Sequence, residues 1–98
     1  MSINPTKHMK ELCNELGKEY SITVIDLEYV IYRDLGKGYD VEISGANTSS
    51  FKKPVTIYLW KDKTRLVKTV EKVAQSNIGD RVEELRYLIE KTDVFDNE

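Results

Sequence analysis

The chain has 98 residues, 40% of them hydrophobic and 33% charged, with a formal net charge of −2 at neutral pH. These proportions exclude an intrinsically disordered chain, and the length allows one core, so we expect a single domain over residues 1–98. No apolar run reaches the ~18 residues of a membrane span or forms a signal-peptide core, which predicts a cytoplasmic protein without membrane contact.

The first predicted element is a helix over about residues 5–19. Asn4 can accept hydrogen bonds from the free amides of a first turn, and Pro5 loses nothing at the first helical position. Apolar side chains then recur at helical spacing and form the predicted core face of this helix: Met9, Leu12, Cys13, Leu16 and Tyr20.

The next segment, residues 21–34, has the two-residue period of one half-buried strand. Its predicted inner face is formed by Ile25, Leu27, Tyr29 and Ile31. Gly36 and Gly38 tolerate positive φ angles and predict a tight turn. A second strand follows at residues 39–44, so these segments form a predicted hairpin.

Residues 45–53 are rich in Gly, Asn, Thr and Ser without any period, which predicts a mobile connection. The third strand follows Pro54. Its inner face is expected to hold Val55, Ile57 and Leu59, and its outer face Thr56, Tyr58 and Trp60. A polar turn is predicted at residues 61–64.

Residues 66–73 fit two structures. Leu66, Val70 and Val73 have the spacing of a helix face, whereas the β-branched residues of this segment favour a strand. We predict a strand, with a helix as the alternative. As the last strand of a sheet, it would present an edge through which two copies of the chain could form a homodimer.

The final predicted element is a helix that begins at Asp80 and fades near Thr92. Asp80 and Glu83 have the spacing of a capping box, and residues 93–98 form an acidic tail. The predicted fold is therefore α+β, a four-stranded antiparallel meander in the order α-β-β-β-β-α with two helices on one face. The expected core comprises Leu12, Leu16, Leu27, Ile31, Val41, Ile43, Ile57, Leu59, Leu85 and Ile89.

The sequence contains no recognisable catalytic motif. The single histidine, His8, and the single cysteine, Cys13, cannot form a metal cluster together with others of their kind, so no metal or cofactor is expected. Acid pairs at i, i+2 spacing, such as Asp40 with Glu42, are interpreted as solvated residues of a sheet face. We therefore predict a protein that is not an enzyme.

An aromatic group is predicted on the outer face of the sheet, opposite the helices. If the strands alternate as described, Tyr32, Tyr58 and Trp60 face outward beside charged residues, which is the composition of a protein-binding patch. The predicted rim is Glu42 with Lys61, Lys63 and Arg65. The alternative is that these aromatic residues only stabilise cross-strand pairs on a solvated face.

Charge suggests a second function. Residues 52–72 hold seven basic residues against two acidic ones, so a small nucleic-acid-binding protein that uses the basic 52–68 region is the alternative hypothesis. Its expected phosphate contacts are Lys52, Lys53, Lys61, Lys63 and Arg65.

Four segments of the chain resemble small phage and mobile-element proteins of the anti-CRISPR inhibitor type. They are the strand Tyr39-Asp40-Val41-Glu42-Ile43-Ser44-Gly45, the Ser-containing loop after it, the β-branched strand at 55–59 and the terminal amphipathic helix. The resemblance covers about half of the chain. It implies an inhibitor that docks on a host protein, such as a CRISPR effector or another defence nuclease. Inhibitors of that type are strongly acidic, whereas this chain carries a net charge of only −2.

Overall fold

A computed structural model describes residues 4–91 of the chain. The predicted acidic tail at 93–98 lies outside these residues. The described part is α+β, with two α-helices and one five-stranded antiparallel sheet. Its elements are α1 Lys7–Leu16, β1 Ser21–Ile25, β2 Glu28–Gly36, β3 Tyr39–Ser44, β4 Val55–Lys61, β5 Arg65–Val73, a short 3-10 helix Gln75–Asn77, and α2 Ile78–Lys91.

The sheet has five strands and not four, because the strand predicted over residues 21–34 is a hairpin of β1 and β2. Asp26 and Leu27 form its two-residue turn with φ angles of 53° and 67°. A two-residue turn of type I′ has positive φ at both positions, which Asp tolerates but Leu rarely adopts. The turn therefore lacks the usual glycine signal, and the alternating pattern runs through it unbroken.

The strand predicted at residues 66–73 is confirmed, and the helical alternative is wrong. β5 pairs along β4 and lies at one edge of the sheet, which follows the order β1-β2-β3-β4-β5. The pairing is irregular opposite Leu59 and Trp60, and Lys72 has a φ of 58°. Bulges and lysines on an edge strand hinder the pairing of one sheet edge with another.

Helix α1 begins later than the sequence pattern predicts. Its N-cap is Thr6, whose hydroxyl accepts a hydrogen bond from the Met9 amide, and not Asn4. The helix ends at Leu16, before Gly17 with a φ of 121°. Helix α2 begins earlier than predicted, at Ile78 and not at Asp80, so Asp80 lies in its first turn. Ile78 is fully buried, so core packing places the start of this helix.

Both helices pack on the same face of the sheet around one hydrophobic core. Met9 and Leu12 of α1 and Leu85 of α2 belong to one buried cluster with the inner residues of the central strands, Ile31, Val41, Ile43, Ile57 and Leu59. Nine of the ten predicted core residues belong to this core or pack against it, with Leu16 only partly buried. The exception is Leu27, which is 87% exposed because it lies in the β1–β2 turn.

The connection between β3 and β4 is held by hydrogen bonds, in contrast to the mobile loop expected from its composition. The Gln75 side-chain Nε2 donates to the carbonyl oxygens of Ser50 and Lys53, both at 2.9 Å. The remaining amide oxygen of Gln75 lies 2.6 Å from His8 Nε2, which must therefore be the donor. Gln75 thus joins the loop to α1.

Neither helix of the described region is long and apolar enough to span a membrane.

Candidate protein-binding face

The outer face of the sheet, opposite the helices, presents acidic side chains of β3 between aromatic side chains of the neighbouring strands. Glu42 lies directly between Tyr32 of β2 and Tyr58 of β4 in the strand register. One row further along, Asp40 pairs with Trp60 of β4. Directly opposed residues have Cβ atoms roughly 4.5–5.5 Å apart, so these rings and carboxylates are neighbours.

A concavity of about 340 Å³ occupies this face. Its walls come from all of the strands except β5, together with the β1–β2 and β4–β5 turns, and comprise Ile25, Asp26, Tyr32, Asp40, Glu42, Trp60 and Lys63. Three carboxylates and one ammonium group give this lining a formal charge of −2. The concavity therefore attracts cations and repels phosphate.

Asp40 is a buried carboxylate and not the solvated residue that its spacing predicts. The residue is 6% exposed, and the Tyr32 hydroxyl donates to its Oδ2 at 2.9 Å. The ammonium of Lys63 lies 3.6 Å from the same oxygen and donates to the Tyr32 hydroxyl at 3.3 Å. It also lies 5.4 Å from the centre of the Tyr32 ring. The charge of Asp40 is thus compensated within the chain.

Glu42 has no such compensation. It is partly buried, and no side chain or amide within residues 4–91 forms a hydrogen bond or ion pair with its carboxylate. Burial raises the pKa of Glu42 above its ordinary value, and the carboxylates of Asp40, Asp26 and Glu28 raise it further. Glu42 is therefore the partly buried acid of the concavity that has no partner within residues 4–91, whereas Asp26 is exposed in the β1–β2 turn.

Trp60 carries a buried polar group without a partner. Its ring is partly buried, and its indole Nε1 is buried without a hydrogen-bond partner among the residues described. A buried donor without a partner costs about 1–3 kcal/mol of stability. The lining of the concavity thus includes an aromatic residue with a buried, unpaired donor and a partly exposed acid without a protein partner.

The structure brings together five of the seven residues predicted as a protein-binding site. Tyr32, Glu42, Trp60 and Lys63 line the concavity, and Tyr58 lies beside Glu42 on the same face. Lys61 and Arg65 are cross-strand partners on the opposite face. The Lys61 ammonium donates to the Lys37 carbonyl at 2.8 Å and lies 4.3 Å from the centre of the Tyr39 ring. These two bases therefore do not form part of the rim.

The basic residues of the 52–68 region do not form one patch. Lys52 and Lys53 precede β4, whereas Lys63 and Arg65 follow it, and a strand of this length spans roughly 20 Å. Lys63 turns to the outer face, while Lys61 lies on the inner one. This separation gives nucleic acid no continuous row of phosphate contacts.

Sequence reasoning missed Ile25, Asp26 and Asp40 as residues of the concavity. A single strand over residues 21–34 hides the turn that brings Asp26 to the wall. It also predicts Ile25 on the inner face, whereas Ile25 lies on the outer one. Asp40 carried a usable signal, since it shares its sheet face with Glu42 on a strand flanked by aromatic neighbours.

No group of three or more His, Cys, Asp or Glu side chains within residues 4–91 is arranged to hold a metal ion. No protein-family model matches the chain, and comparisons with curated proteins and with solved structures find no significant match.

Proposed function

We propose that this domain is a non-enzymatic protein-binding module that docks on its partner through the outer face, with Trp60 and Glu42 at the centre. The observation that carries the proposal is the combination, in one concavity, of partly exposed aromatic rings with the carboxylate of Glu42, which has no partner within residues 4–91. The indole N–H of Trp60 is also buried without a hydrogen-bond partner among the described residues, which is uncommon in folded proteins. A partner protein that covers the rings and pairs with Glu42 would complete this site.

The aromatic residues support a protein partner. Tyr and Trp rings bury much area with few torsions to freeze, which is why they are enriched at the energetic centres of interfaces. Tyr32, Tyr58 and Trp60 lie partly exposed on one face, and the Tyr32 ring is held by its bond to Asp40. A face with ordered rings pays less entropy on binding than a flexible one.

Charge also favours a protein over nucleic acid as the partner. The concavity carries a formal charge of −2, and the bases proposed for phosphate contacts are divided between two faces and two ends of β4. Nucleic acid would meet repulsion at the aromatic centre, where a binding site needs attraction.

A finer proposal concerns the partner's identity. The resemblance of residues 39–45 and of the terminal helix to anti-CRISPR inhibitors supports a host defence protein, such as a CRISPR effector nuclease, as the target. DNA cleavage by the purified effector, with and without equimolar domain, tests this. Inhibition that is lost in the Trp60→Ala variant is expected, whereas unchanged cleavage would remove the effector nuclease from consideration.

Affinity capture from the native host, with quantitative mass spectrometry, tests the binding face itself. We compare the wild-type chain with Trp60→Ala and Glu42→Lys, and with the control Tyr87→Ala, which removes an exposed ring from α2. Because Trp60 is partly buried, recovery is normalised to the folded fraction. Loss of a hot-spot ring costs ~2 kcal/mol or more, so outer-face variants should recover the partner roughly 30-fold less at limiting concentration, whereas Tyr87→Ala should recover it fully.

Equal recovery of the same proteins by all variants would contradict the proposal. Nuclease treatment and a salt series distinguish protein binding from the alternative, nucleic-acid binding. A complex formed through phosphate contacts weakens steeply with the logarithm of salt concentration.

A further inference from the structure

We infer that the concavity receives an arginine side chain of the partner protein, with its guanidinium between the Tyr32 and Trp60 rings and paired with Glu42. This inference rests on the proposed function and specifies the partner's chemistry at the same site. The residues that carry it are Tyr32, Trp60, Glu42 and Lys63, together with the shape of the space that they enclose.

The size of the concavity suits a single side chain. Its volume of about 340 Å³ lies near the lower limit of small-molecule sites, which span ~300–1,000 Å³. A partner helix or strand would need a longer groove. A long, flexible side chain can enter while its backbone stays outside the rim.

The charge of the lining selects a cation. Within the described residues, Asp40 is already paired with Lys63 and bonded to Tyr32, so the acids left for an incoming group are the partly buried Glu42 and the exposed Asp26 of the β1–β2 turn. Glu42 is the one between the aromatic side chains. An arriving cation would relieve the repulsion that Glu42 experiences from Asp40, Asp26 and Glu28. A carboxylate or phosphate of the partner would add to that repulsion instead.

The chain already places one cation of its own against this aromatic wall. The Lys63 ammonium lies 5.4 Å from the centre of the Tyr32 ring and 3.6 Å from Asp40 Oδ2, although its side chain is 76% exposed. A cation beside an aromatic face is attracted by the negative charge density of the ring. This arrangement is an independent sign that the concavity stabilises positive charge, and it leaves Trp60 and Glu42 open to a second cation.

Guanidinium fits the remaining space better than ammonium. A planar guanidinium can stack on an aromatic ring while its fork of N–H donors pairs with both oxygens of one carboxylate. Trp60 provides the ring and Glu42 the carboxylate, and they lie on adjacent strands, β4 and β3. An ammonium can lie beside a ring and one carboxylate oxygen, as that of Lys63 does, but it is a point charge that neither stacks on the ring nor pairs with both oxygens through a planar fork.

The test titrates N-acetyl-arginine N-methylamide into the wild-type domain and follows the fluorescence and indole NMR signal of Trp60, the single tryptophan of the chain. The citrulline analogue is the neutral control of the same shape, the lysine analogue tests the guanidinium, and sodium chloride matches the ionic strength. A hydrogen bond to a charged group contributes about 1.5–3 kcal/mol, so the citrulline analogue should bind at least about tenfold more weakly.

Two variants with the same change in net charge provide the protein-side control. Glu42→Gln should weaken the arginine probe about tenfold. Glu15→Gln removes an exposed acid from α1, on the opposite side of the sheet, and should leave binding unchanged. Thermal unfolding confirms that both variants are fully folded at the temperature of the titration.

Three results would overturn the inference. They are equal responses to the arginine and citrulline analogues, equal responses to the arginine and lysine analogues, and no saturable change in the Trp60 signals. If any of these occurs while capture of a partner still depends on Trp60, the outer face remains the binding site and only its arginine specificity is rejected. If capture also becomes independent of Trp60, the proposed function is rejected as well.

Discussion

The Tyr32 hydroxyl donates a 2.9 Å hydrogen bond to the carboxylate of Asp40, a residue that is only 6% exposed. The two residues lie on adjacent strands, one register row apart, so the bond fixes the Tyr32 ring diagonally across the outer face. It thereby stabilises a buried charge and orders one wall of the concavity at the same time.

Tyr32→Phe removes this bond and should destabilise the domain by about 1–3 kcal/mol, because it leaves the Asp40 carboxylate with the more distant Lys63 alone. Urea denaturation measures the change. Tyr58→Phe is the matched control, since the Tyr58 hydroxyl has no hydrogen-bond partner within residues 4–91 and its loss should change stability little. Equal losses in the two variants would mean that the Tyr32–Asp40 bond contributes nothing measurable.

Leu59→Ala should lower the free energy of unfolding by about 2–5 kcal/mol, because Leu59 is fully buried at the centre of the sheet and its truncation leaves a cavity. Leu27→Ala removes the same atoms from a side chain that is 87% exposed and should stay within about 0.5 kcal/mol of the wild type. Thermal unfolding of both variants distinguishes the positions. A large loss in Leu27→Ala would be incompatible with a turn at residues 26 and 27.

Leu59 and Leu27 show where the alternating sequence pattern predicts burial correctly and where it does not. Period-two alternation placed Leu59 correctly, because β4 is bounded by strong turn signals, Pro54 before it and a polar turn after it. The same rule failed at Leu27, since a two-residue turn preserves the alternation and its φ of 67° is one that leucine rarely adopts.

The sequence pattern also predicts part of the candidate site, as it does part of the fold. Alternation correctly placed Tyr32, Tyr58 and Trp60 on one face, and the same parity would have separated Lys61 from them. The pairing of Asp40 with Tyr32 could not be predicted, because it depends on the register between β2 and β3. The register shifts between Asp34 and Gly36, and the alternating pattern gives no sign of this irregularity.

Gln75→Ala should release the connection between β3 and β4. The variant loses two hydrogen bonds to the Ser50 and Lys53 carbonyls and one from His8, so a destabilisation of about 1–3 kcal/mol is expected. Amide hydrogen exchange should accelerate in residues 46–53 more than in the central strands. Ser76→Ala, at the exposed neighbouring position, is the control. Unchanged exchange in the loop of the Gln75 variant would show that other contacts hold it.

The pKa shifts of Glu42 and Glu83 predict opposite dependences of stability on pH. Burial raises the pKa of Glu42, so its contribution favours folding below its unfolded pKa and is lost as the pH rises through its higher folded value. Hydrogen bonds from Arg33 and Arg86 lower the pKa of Glu83, so its contribution is present above the unfolded pKa and is lost as the pH falls through the folded one.

Glu42→Gln should therefore stabilise the domain at neutral pH, and this advantage should shrink as the pH falls from the raised folded pKa of Glu42 to its ordinary value. Glu83→Gln should destabilise it at neutral pH, and the deficit should shrink at lower pH, as the pH falls from the ordinary value of Glu83 to its lowered folded pKa. Unfolding free energies measured between neutral and acidic pH give both trends. A Glu42→Gln variant that is less stable than the wild type at neutral pH would show that Glu42 is paired, against the geometry described above.

Photo-cross-linking in the native host tests the central claim, binding of a protein through the outer face, most directly. Benzoylphenylalanine replaces Tyr58 on the outer face or, as the control, Tyr87 on α2. We expect a discrete protein adduct, resistant to nuclease, from position 58, and its loss when Glu42→Lys is introduced into the same chain. An adduct from position 87 alone, or one from position 58 that nuclease removes, would contradict the claim.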